Sequence, residues 1–173
     1  AVNAFDCLRS NVVQFTVKNP IFKVSFNSNG GSCSTSSKNV TYTATYGDLP
    51  VPTRTGYTFK GWYTSASGTT KITGENKVNI TSNQTLYAQW IPNTYTVVYN
   101  PNGGIGTTAN SSHTFDTAKS LNINNFTKEG YSFKGWSKNK DAEIPEFTDQ
   151  QSVKNLTSQN NACLLYTFRA HET

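Results

Sequence analysis

The chain contains no methionine and only three cysteines, and Asp, Glu, Lys and Arg together make up 14% of its 173 residues. Each scarcity excludes something. Cys7, Cys33 and Cys163 form no Cys-x-x-Cys pair and have only His113 and His171 beside them, so no zinc-ligand set is available. An odd count allows one bridge and a leftover thiol. In an oxidising compartment a Cys33–Cys163 disulfide would tie the halves of the chain together and leave Cys7 free or intermolecular, although sequence alone does not fix the pairing. No window approaches the apolar length that spans a bilayer, and no basic-then-apolar leader stands at Ala1. Lacking an initial Met, the chain reads as a processed protein or an excerpt from a longer one.

The formal net charge is +5, yet no Lys/Arg run exists that could track a phosphate backbone. Even Lys134, Lys138 and Lys140 are interrupted by Gly135, Trp136, Ser137 and Asn139. Nucleic acid is therefore not an expected partner. A scattered basic surface would attract acidic cell-surface polymers only weakly. Catalytic patterns are also missing. His113 lies near Ser111, Ser112 and Asp116, but neither serine sits on a G-x-S-x-G elbow. The carboxylates Asp141, Glu143, Glu146 and Asp149 match no calcium-loop spacing. No G-x-x-x-x-G-K-[ST] follows the glycine pairs. The expectation is a protein that is not an enzyme, with no cofactor and no bound metal.

What is abundant is Thr, Ser, Asn, Tyr and Phe, a profile of half-buried strands and polar loops. It is organised as an internal repeat. The segment VSFNSNGG at 24–31 returns as VVYNPNGG at 97–104, and RTGYTFKGWYT at 54–64 returns as KEGYSFKGWSK at 128–138. Gly, Tyr, Phe, Lys, Gly and Trp recur there in identical places. A closing TLYAQW at 85–90 has its counterpart in LLYTFR at 164–169, where the terminal Trp is lost. The link IPNT at 91–94 is short and stiff.

Alternating apolar and polar residues before each Asn-Gly-Gly predict a strand running into a turn, with Gly30, Gly31, Gly103 and Gly104 as turn residues. In GYTFKGW, Tyr57 and Phe59 share one strand face, and Gly61 lets Trp62 pack. Trp62, Trp90, Trp136, Tyr57, Phe59, Tyr131 and Phe133 are the expected structural core, since a small domain consumes its largest side chains. The Pro50-Val51-Pro52 segment excludes a helix interior or central strand, so copy one has an extended connector. Copy two replaces it with AKSLNINNF at 118–126, without proline and open to partial helix. Six Asn-x-Ser/Thr sequons occur, but about five are expected by chance from the Asn, Ser and Thr content, so they carry no signal.

An opening strand ending in N-GG, then Tyr46-Gly47, Pro50-x-Pro52, GY-F-GW and a closing TLYA-W resembles the Listeria-Bacteroides repeat, also called the internalin B-repeat. Copy one matches nearly every landmark. Copy two keeps Gly103, Gly104, Gly130, Tyr131, Phe133, Gly135 and Trp136 and departs at the Tyr-Gly, Pro-x-Pro and closing Trp positions. The resemblance implies a β-rich α+β fold: two tandem, small, β-grasp-like (ubiquitin-like) repeat domains, each a curved sheet clasping a short helix or connector. It also implies an extracellular, cell-surface location, and it supplies no catalytic residues.

The expected organisation is an N-terminal strand segment (1–22, with NVVQFTV at 11–17 as the strand), repeat domain 1 (23–91) and repeat domain 2 (95–173). The expected function is an adhesion module that spaces or presents a binding surface. Alternatives are a fibre subunit assembling by N-terminal strand addition and a carbohydrate-binding module. Its partner would be a host or neighbouring-cell protein or glycan, or a second copy. Binding is expected where the copies differ, with Tyr63, His113, Phe115, Glu143 and Glu146 as the candidate surface.

Overall fold

A computed structural model describes residues 17–159 and 162–171. Val17 apart, the expected N-terminal strand lies outside the described residues, as does Cys7. The alternating segments form strands in the order β1 (Ile21–Asn27), β2 (Ser37–Thr41), β3 (Tyr57–Tyr63), β4 (Lys71–Ile72), β5 (Gln84–Pro92), β6 (Thr94–Asn100), β7 (Ile105–Gly106), β8 (Ser111–Thr114), β9 (Lys119–Ser120), β10 (Phe126–Thr127), β11 (Tyr131–Ser137), β12 (Ser152–Val153) and β13 (Ala162–His171). One sheet runs β2-β1-β5-β3-β4 and another runs β11-β13-β6-β8. These are the same architecture twice: an opening strand is flanked by an antiparallel partner (β2 or β8) and by a parallel closing strand (β5 or β13), which in turn pairs antiparallel with the GY-F-GW strand.

The α+β, β-grasp expectation is overturned: every regular element among the described residues is a strand, and none is a helix. The reason lies in the crossovers that a clasped helix would occupy. In copy one this stretch holds Gly47 at φ 63° and two prolines, and Pro50 offers its carbonyl to a core side chain instead of to a helical turn. In copy two the stretch that was open to partial helix is extended. Its β9 pairs with β12 and its β10 with β7, and Asn124 bonds to the backbone of Phe126 in both directions, the local side-chain bonding that competes with helix.

Each sheet covers its own core. The first contains Val24, Phe26, Val40, Tyr46, Trp62, Val78, Leu86 and Ala88. The second contains Tyr95, Val97, Tyr99, Leu121, Phe126, Trp136, Val153, Cys163 and Leu165. The register makes these cores equivalent position by position. Phe26 faces Leu86 across β1/β5 as Tyr99 faces Leu165 across β6/β13, and Phe59 faces Trp90 as Phe133 faces Arg169. The aromatic contact recurs as well: Phe26–Trp62 centroids are 4.9 Å apart and Tyr99–Trp136 centroids 4.8 Å. A bulge interrupts β3 between Phe59 and Gly61 and β11 between Phe133 and Gly135, with those glycines at φ 142° and 151°.

The turn glycines divide into two roles. Positive φ falls on Asn29-Gly30 and Asn102-Gly103, as a tight hairpin-like reversal requires. Gly31 and Gly104 are needed for space. A Cβ on Gly31 would lie 2.5 Å from the Trp90 ring and one on Gly104 would lie 2.6 Å from the Thr127 carbonyl.

Candidate binding surface

The link between the sheets is a single residue, Asn93, set between the end of β5 and the start of β6. All of its polar groups are used, and they divide between the copies. Its N–H donates to Gly56 O (2.9 Å) and its Oδ1 accepts from the Thr58 hydroxyl (2.8 Å), both in copy one. Its carbonyl accepts from Phe115 N–H (2.8 Å) and its Nδ2 donates to Ser158 O (2.9 Å), both in copy two.

Around this residue the copies meet side chain to side chain. Phe115 sets its ring edge-on to Tyr57 at 5.7 Å and lies over Gly56, where a Cβ would collide with the ring. The Tyr57 hydroxyl donates to Asp116 Oδ2 at 2.7 Å, while the Arg54 guanidinium covers the Tyr57 ring at 3.9 Å. Asp116 also accepts from Asn155 Nδ2 at 2.9 Å and pairs with Lys154 at 3.4 Å. The bonds from Asn155 and Tyr57 hold the Asp116 carboxyl below its usual range, and the bond to Asp116 raises the Tyr57 pKa.

The expected binding residues are therefore dispersed. Phe115 belongs to the junction between copies. Tyr63 is 6% exposed, packed in its own sheet with Lys60 over its ring, which corrects its reading as a surface contact. His113 is 1% exposed, which corrects its reading as part of an exposed binding surface. It stacks on Tyr95 and shares a hydrogen bond with Ser111, which bonds in turn to the Tyr99 hydroxyl. Glu143 and Glu146 are exposed on the 138–149 segment. Glu146 accepts from the Ser137 hydroxyl and Lys138 N–H, so it braces the end of β11.

Among the expected core residues, Trp62 and Trp136 are buried, and Phe59, Trp90 and Phe133 are half-buried against the cores. Tyr57 lies at the junction, and Tyr131 is half-buried beneath Lys128. The Cys33–Cys163 bridge is not formed. Cys33 packs against the first core and Cys163 is buried in the second, each as a free thiol, because the two sheets keep separate cores.

A cavity of about 130 Å³ in copy two is lined by Asn102, Lys128, Tyr131, Asn139, Lys140 and Arg169, among others. Sequence reasoning passed over both this cavity and the role of Asn93. The signals present were the lost closing Trp at Arg169 and the single-residue link. Among the described residues, no group of three or more His, Cys, Asp or Glu side chains is placed to hold a metal.

The sequence profile of the Listeria-Bacteroides repeat domain matches residues 22–89 and 95–161. A protein of Evansella cellulosilytica described as a Gly-rich membrane protein is 34% identical over 122 residues, covering 69% of this chain and 13% of its own length. A second membrane protein of that organism is 32% identical over 129 residues, covering 73% and 19%. Internalin H of Listeria monocytogenes is 35% identical over 85 residues, covering 49% and 15%. The chain thus spans at most 19% of the length of any of these three relatives.

Proposed function

Because this chain belongs to the Listeria-Bacteroides repeat family, we propose that it is a non-catalytic, extracellular segment of a surface protein that holds a binding surface at a fixed distance and angle. Its two repeat domains, 23–91 and 95–173, act as one stiff spacer, and the parent protein contacts a host or neighbouring-cell protein or glycan. The observation that carries this reading is Asn93, whose four polar groups are shared equally between the copies, with the Tyr57–Phe115 and Tyr57–Asp116 contacts beside it. An adhesive segment under tension needs a defined geometry more than a reactive centre, and a junction with every donor and acceptor engaged resists bending.

Small-angle scattering of the intact chain and of a Phe115→Ala, Asp116→Asn double variant tests the spacer. The intact chain is expected to fit one rigid envelope, and the variant to broaden its distance distribution while both copies stay folded. An identical distribution in the variant contradicts the role given to this junction. Saturable turnover of a substrate, lost when one polar cluster is mutated, would overturn the non-catalytic part.

A further inference from the structure

Copy two carries at its closing position a charge that copy one lacks. Arg169 stands where copy one has Trp90: each faces the phenylalanine of its GY-F-GW strand, and each closes over the second glycine of its turn, within 2.5 Å of a Cβ on Gly31 for Trp90 and 2.9 Å of one on Gly104 for Arg169 Nη2. Trp90 is satisfied there, its indole N–H donating to Ser28 O at 3.0 Å. Arg169 is not. Its Nε donates to the Thr167 hydroxyl at 3.1 Å, but Nη2 is buried with no hydrogen-bond partner. The ion pairs among the described residues are Lys140–Asp141 and Lys154–Asp116, so no carboxylate neutralises Arg169. Burial lowers the guanidinium pKa, but the group stays charged at neutral pH. A part-buried cation with an idle donor calls for an acceptor.

A second cation converges on the same spot. Lys128 Nζ lies 3.6 Å from a Cβ placed on Gly103, the neighbour of Gly104, and 4.5 Å from the Tyr131 ring centroid. Both side chains line the 130 Å³ cavity, well above the ~10–15 Å³ that a single water needs. Lys140 also lines it, but its Nζ is engaged by Asp141 at 2.6 Å. Copy one has a cation only at the position of Lys128, namely Arg54, which donates to Asn29 O and covers Tyr57.

We propose that the cavity between Lys128 and Arg169 is a binding site for a single oxyanion, a sulfate, phosphate or carboxylate group, present in the second repeat and not in the first. The planar guanidinium offers its unpaired N–H to one oxygen, and Lys128 supplies a compact charge to another. Asn102, whose Nδ2 already donates to Lys140 O and Thr167 O, lines one wall of the cavity. The site goes beyond the spacer reading, and each can fail without the other.

The test is a titration of the intact, isotope-labelled chain with sodium sulfate, sodium phosphate and sodium glucuronate, each against sodium chloride at equal ionic strength. Saturable amide shifts confined to the turn at 102–104 and to Arg169 are expected with at least one anion, and the anion giving them identifies the source chemistry. Arg169→Trp, which installs the copy-one residue, and Lys128→Gln should each weaken binding at least tenfold. Lys77→Gln, which removes the same charge from copy one, should leave it unchanged. Folding of both site variants is checked from the amide resonances outside the site. The proposal is overturned by an absence of saturable shifts with all three anions, by unaltered binding in Arg169→Trp, or by an equal loss in Lys77→Gln.

Discussion

Trp62 and Trp136 hold the same place in the two cores but differ by one hydrogen bond. Trp62 donates its indole N–H to Pro50 O at 2.7 Å, whereas Trp136 Nε1 is buried with no acceptor, since copy two has lost the Pro-x-Pro connector. Truncating either residue to alanine should cost about 3–5 kcal/mol, as for other large buried aromatics. The phenylalanine substitutions should separate them. Trp62→Phe strands the Pro50 carbonyl and should be more destabilising than Trp136→Phe by about 1–3 kcal/mol, read from chemical denaturation of each copy. An equal cost would mean that the Pro50 bond contributes nothing. His113 marks a second difference, for it stands in the position of Val40: each faces the first aromatic of its opening strand, Tyr95 or Phe22. Burial, reinforced by the Lys119 charge, lowers its pKa, so folding favours the neutral ring. The unfolded chain takes up a proton near pH 6.5. Stability of copy two should therefore be full above about pH 6.5 and fall as pH drops toward the folded value. Thermal melts from pH 7.5 to 5 should show this slope, and His113→Val should flatten it.

At the scale of elements, the opening, GY-F-GW and closing strands were legible, whereas β2, β8 and the crossovers were not. Alternation in VSFN and VVYN, the repeat shift and the bulge-prone Phe-Lys-Gly-Trp identify β1, β6, β3 and β11, because two-residue periodicity reports a half-buried strand directly. The helix of a β-grasp was inferred from family likeness, yet Pro50, Pro52 and the Asn-rich 122–125 stretch already disfavoured it. The shared surface of Tyr57 and Phe115 was not legible, since these residues are far apart in sequence and belong to different copies. The bulge glycines give an element-level prediction. A Cβ on Gly61 would meet the flexible end of Lys71, but one on Gly135 would collide with the backbone carbonyl of Phe147. Both positions require positive φ, so alanine should cost about 1–3 kcal/mol at each. Gly135→Ala should be the worse of the two, and equal melting shifts would contradict this reading of β11.

For the whole molecule, a one-residue link decides whether two repeats behave as one body. Asn93 bonds to each copy twice, and Phe115 and Asp116 extend the contact from copy two onto Tyr57 of copy one. Only Asn offers both a donor and an acceptor at this reach, so Asn93→Ala should release the copies from each other while leaving each sheet intact. The most direct measurement is of residual dipolar couplings for backbone amides in the intact, weakly aligned chain, fitted separately for 21–92 and 94–171. Couplings from both copies are expected to fit one alignment tensor of a single magnitude and orientation. Two tensors of different magnitude in the unaltered chain would mean that the copies move independently, and would contradict the stiff-spacer account.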